Sequence, residues 1–196
     1  MKLFKKLMAV ALAGAMALTV LTGCGSVVNE RELVATLNDM KALEKVYDVE
    51  EYEHGNVETG VKTITCGSSA LANQVLNKVK TYLETHPDDY LNAGMLLDHA
   101  CSPGMDEAKI RSIVPKDSKD AYYLTYMRVN EYQSEEYKNN KAGYMAQELM
   151  MHHRAFALNH IADRTGTLGD KAVASVASGE IAGNTYLVVV YVQAAK

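Results

Sequence analysis

Three of the chain's six histidines, His152, His153 and His160, fall close together, with Glu148 four residues ahead of the first. The apolar spacing predicts one long helix from about Ala142 to Ala162. On it Glu148 and His152 (i, i+4) share a face, as do His153 and His160 (i, i+7). Imidazole and carboxylate are transition-metal ligands, and zinc takes three or four of them at about 2.0–2.2 Å, oriented by outer hydrogen bonds. The HExxH pattern is missing, and His54, His86 and His99 stand in no regular spacing to the others. Metal binding by His153, Glu148, His152 and His160 is therefore the sharper expectation. The plainer one is a surface Glu–His pair plus histidines hydrogen-bonded in a half-buried core.

Other chemical signatures are missing. The sequence has no GxSxG elbow, no SxxK, no P-loop lysine and no GxGxxG. Its 24 acidic residues show no spacing that would pair two of them for glycoside cleavage. No catalytic residue and no cofactor can be assigned on these grounds.

The N-terminus carries the most specific pattern. Lys2, Lys5 and Lys6 precede an apolar run from Leu7 to Leu21, and Thr22-Gly23-Cys24 follow. A basic segment, a short apolar segment and small residues make a secretory signal. The run is shorter than the roughly 20 residues of a membrane-spanning helix and is broken by Gly14. Leu21-Thr22-Gly23-Cys24 resembles the lipobox of bacterial lipoproteins. The resemblance implies cleavage before Cys24 and a diacylglycerol on its thiol. Residues 1–23 are then signal peptide, 24–29 a lipidated tether, and 30–196 a single extracytoplasmic domain held on the cell membrane. Two acyl chains anchor stably where one is marginal. With Cys24 lipidated, Cys66 and Cys101 remain, either as one disulfide worth roughly 3–4 kcal/mol or as two separate thiols.

Cleavage would remove three lysines and take the formal charge from −4 to −7. An acidic domain is repelled by nucleic acid and by anionic lipid, so neither adhesion to headgroups nor a nucleic-acid partner is expected. Tyrosine supplies nearly all the aromatic surface, with twelve residues against two phenylalanines and no tryptophan. Tyrosine suits core edges, and also surfaces that meet a cell-wall glycan, a peptide or an envelope protein.

The elements that must position these groups follow from periodicity. Helices are predicted over 30–46, from Ser69 to Pro87, around Tyr90–Leu97 and over Met105–Val114. Residues 47–56 read as an acidic, turn-rich linker without the ligand offsets of a calcium loop. Strands are predicted at Val61–Thr65 and Tyr122–Val129, and a hairpin at about Ala172–Ile181 and Thr185–Gln193, turning at Ala182-Gly183-Asn184. Tyr186–Val192 is apolar on both faces and must be covered on both sides. The fold class is α+β: a small, mostly antiparallel sheet with helices on both faces, a three-layer sandwich.

His153-Arg154-Ala155-Phe156-Ala157-Leu158-Asn159 resembles the HRAxxLN helix of the CAP superfamily, the cysteine-rich secretory and pathogenesis-related proteins. The likeness covers about fifty residues, with a hairpin following in both. It implies an α-β-α sandwich with His153 in a central cavity beside a second histidine and two acidic residues. His99 and Glu131 are candidates that no motif marks. The tryptophan and Ser-Pro that usually precede the motif are replaced by Glu148-Leu149-Met150-Met151. The expectation is a lipid-anchored binding or interaction module of the cell envelope, not an enzyme. The alternative is a diverged CAP-like domain with a histidine-lined, metal-dependent cavity.

Overall fold

The computed structural model describes residues 27–40, 42–47, 56–86, 92–99, 110–129, 135–151, 155–159 and 166–196. In chain order its elements are α1 (Glu30–Asp39), β1 (Lys45–Tyr47), β2 (Asn56–Glu58), β3 (Thr63–Cys66), α2 (Ala70–Thr85), α3 (Ala93–His99), a 3₁₀ turn (Ile110–Ile113), β4 (Ala121–Arg128), α4 (Glu135–Asn139), α5 (Lys141–Met151), β5 (Phe156–Ala157), β6 (Leu168–Ile181) and β7 (Asn184–Ala195). The strands form one sheet in the order β2-β1-β5-β4-β7-β6-β3. Pairing is parallel between β3 and β6 and between β1 and β5, and antiparallel elsewhere. The protein is an α+β domain with a mostly antiparallel sheet and packed helices.

The two longest strands of the sheet form the β6–β7 hairpin. Ile181 pairs with Asn184, so the turn has two residues, Ala182 and Gly183, both at positive φ (50° and 77°). Two left-handed residues match the twist of the strands. Along β7 the side chains alternate between two apolar clusters. Leu187, Val189 and Tyr191 join one, with Leu33, Val34 and Leu37 of α1 and Ala142, Met145 and Leu149 of α5. Val188 and Val190 join the other, with Val75 and Val79 of α2 and Leu96 and Leu97 of α3. A period of two therefore places an apolar cluster on each face, as the doubly apolar sequence of β7 requires.

The sheet also curls. β2 and β3 are its two edges, yet only Thr59–Lys62 join them. Seven strands laid flat would hold their edges about 29 Å apart at 4.8 Å per strand. From Glu58 to Thr63 the chain reaches at most about 17 Å. The edges therefore approach each other over the face that carries Tyr191 and Gln193, where Leu43, Val57 and Val61 pack into the first cluster.

Three predicted elements change. The helix from Ala142 stops at Met151, and Phe156–Ala157 pair with Leu124 and Tyr123 instead. Leu158 N–H donates to Tyr122 O at 2.8 Å. The Asn159 amide then mimics a further pair, accepting from Tyr122 N–H at 2.9 Å and donating to Asp120 O at 2.8 Å. Apolar residues at this spacing serve a buried strand as well as a helix, and the unpaired edge of β4 decides between them. The first helix ends at Asp39, and Lys45–Tyr47 with Asn56–Glu58 form a short antiparallel pair where a helix end and a linker were expected. The helix predicted over Met105–Val114 is a 3₁₀ turn at Ile110–Ile113, and its earlier residues lie outside the described ones.

Candidate functional site

Of the cluster expected on one helix, only Glu148 lies among the described residues. Glu148 sits half-buried on α5, beside the buried Leu149. His152, His153 and His160 lie outside the described residues, as do Cys24, Cys101 and Glu131. Phe156–Ala157, which lie between His153 and His160 in the sequence, are strand and not part of the one long helix expected there. The heptapeptide likened to the CAP helix thus contains a strand and the Asn159 clamp. Among the described residues no group of three or more His, Cys, Asp or Glu is placed to hold a metal ion. His86 ends α2, its ring stacked on Tyr82 at 4.2 Å between centroids and its Nδ1 3.0 Å from Tyr82 O.

Cys66 is a free, exposed thiol at the end of the edge strand β3. Partial burial and the Glu30 carboxylate push its pKa up, against the opposing effect of Arg31. The thiol is therefore protonated at neutral pH and is not an activated nucleophile.

One concave feature among the described residues is a groove of about 320 Å³ lined by Glu44, Glu58, Gly60, Val61 and Lys62. It forms where the chain crosses from one sheet edge to the other. Gly60, at φ +68°, makes that turn, a backbone conformation open to glycine at little cost. Lys62 N–H donates to Asp170 O at 2.8 Å, and Lys62 Nζ lies 3.5 Å from the Asp170 carboxylate. Both side chains are exposed, so the ion pair adds little stability.

The floor is rigid. Gln193 is 0% exposed. Its Nε2 donates to Thr59 O and Gly169 O, both at 2.7 Å, and its Oε1 accepts from the buried Tyr123 hydroxyl. The Thr59 hydroxyl donates to Leu43 O. One amide thus ties the crossing segment to both β6 and β4. A fully satisfied buried network of this kind fixes geometry. Above it, Glu44, Glu58 and Lys62 are exposed. Carboxylates accept hydrogen bonds from hydroxyl, amide or ammonium groups, and the ammonium donates to carbonyl or carboxylate oxygens. Three of the five described lining residues, Glu44, Glu58 and Lys62, are charged.

None of these groove residues stood out in the sequence. Glu44 and Glu58 flank an acidic stretch that reads as solvated. The available signal was Gln193, a polar residue within an otherwise apolar strand. Compared with known proteins, the chain matches no family model, no curated protein and no solved structure.

Proposed function

We propose that this chain is a lipid-anchored, extracytoplasmic binding or interaction module of a bacterial cell envelope. The observation that carries the reading is Leu21-Thr22-Gly23-Cys24 behind a basic and apolar leader. The close docking of the chain just after it supports the reading: Val27 N–H donates to Ser178 Oγ at 3.1 Å, and Val28 is buried in the first cluster. A domain that begins three residues after the lipidated cysteine needs no further membrane contact to stay at the surface. The binding part rests on the groove, whose carboxylates and ammonium suit a hydroxyl- or amide-rich ligand such as wall glycan or peptide.

Glu44→Gln combined with Glu58→Gln removes both carboxylate charges and keeps the shape. Sedimentation with purified wall glycan and capture of envelope peptides, wild type against the double variant, test the groove. The expected result is loss of binding in the variant with an unchanged thermal midpoint. Equal binding by both proteins would place the ligand elsewhere.

A further inference from the structure

We infer that the end of the domain carrying the Ala182–Gly183 turn faces the lipid surface and that the groove end points away from it; this orientation rests on lipidation at Cys24. The chain outside the described residues ends on a fixed point. Val27 is bonded to Ser178 on β6, four residues before the turn. From there the chain runs antiparallel to β6. Glu30 lies close enough to Cys66 to act on its thiol, and Asn38 Oδ1 accepts from Ile64 N–H at 2.7 Å. In register, Cys66 matches Ala174 and Ile64 matches Ala172. The polypeptide thus enters from the turn end and travels towards the groove end.

Distances make the orientation selective. Cys24 to Val27 spans at most about 11 Å. Ser178 to the turn is about 13 Å along the strand. Fully extended, these three residues bring the anchor to within about 2 Å of the level of the turn. In the other direction Ala172 lies about 20 Å from Ser178, and the groove lies beyond it, where Lys62 meets Asp170 and Thr59 meets Gln193. Three residues cannot bring a headgroup layer to that end.

The test uses the full lipidated protein in vesicles of phosphatidylethanolamine and phosphatidylglycerol doped with a headgroup-nitroxide lipid. Cys66→Ser and Cys101→Ser clear the background, and a fluorophore is placed by Ala182→Cys or by Lys196→Cys. Lys196 sits at the groove end, its N–H bonded to Thr167 O. Quenching several-fold stronger at Ala182→Cys is expected. Equal quenching, or stronger quenching at Lys196→Cys, overturns the orientation while vesicle flotation upholds the anchor. A protein that fails to float overturns the anchor, and the orientation with it. Should the serine background fail to fold, carboxyl footprinting of the unsubstituted protein gives the same decision. Glu180 should be protected on vesicles and Glu58 should not; the reverse, or equal labelling, contradicts the orientation.

Discussion

Two tyrosines on one face of the sheet illustrate how much a single hydroxyl decides. Tyr123 donates to Gln193, whereas the Tyr191 hydroxyl, 1% exposed, has no hydrogen-bond partner among the described residues. An unpaired buried hydroxyl costs roughly 1–3 kcal/mol. Tyr191→Phe should therefore leave stability unchanged or raise it by about 1 kcal/mol, read as the denaturant midpoint. Gln193→Ala removes the acceptor of the Tyr123 hydroxyl and the donor to the Thr59 and Gly169 carbonyls, so it should destabilise by on the order of 3 kcal/mol. Equal effects of the two substitutions would refute the network. Burial also holds the Tyr191 hydroxyl well above the ordinary tyrosine value of 10. Above about pH 10 the unfolded chain loses this proton and the folded chain keeps it, so the unfolded state binds fewer protons and stability falls as pH rises. Below that pH the contribution is present in full. Tyr191→Phe should flatten the alkaline decline of the midpoint, and an unchanged slope would show that other groups cause it.

At the level of elements, the hairpin turn offers a direct trial. Ala182 holds φ 50°, which costs an L-residue with a Cβ about 1–2 kcal/mol. Ala182→Gly relieves that cost and loosens the unfolded chain by roughly 0.4–1 kcal/mol. A small net rise in thermal midpoint is expected, and a fall would show that the strain lies elsewhere. The hairpin itself was legible in the sequence, because its strands are long, rich in β-formers and divided by a glycine turn. So were α2, with its stripe of Val75, Leu76 and Val79, and β4. The short strands were not. β1, β2 and β5 have two or three residues each, too few for a period to show, and they exist because neighbouring edges offer hydrogen bonds. Asn159→Ala should expose this by removing both amide bonds next to β5, with a cost of about 1–2 kcal/mol. The groove was hidden for the same reason: Glu44, Glu58 and Lys62 meet only because the sheet curls, and that curl follows from pairings made far along the chain.

For the whole molecule, the sheet order and the short crossing at Thr59–Lys62 divide the domain into two unlike ends. Towards the turn Val27 is bonded to Ser178; the other end carries the groove and the Gln193 network. His152, His153 and His160 lie outside the described residues; among the described residues Glu44, Glu58 and Lys62 line the groove. No described helix is long and apolar enough to cross a membrane. A lipid on Cys24 would then hold the domain to the surface and leave the groove open to the envelope. The most direct test is membrane fractionation of cells expressing the full chain or Cys24→Ala, with metabolic labelling by a fatty acid. The expected result is a labelled wild-type protein in the membrane fraction, and an alanine variant without label that is no longer stably membrane-bound as a processed protein. A Cys24→Ala protein that is still processed, labelled and membrane-bound like wild type would contradict the lipid anchor.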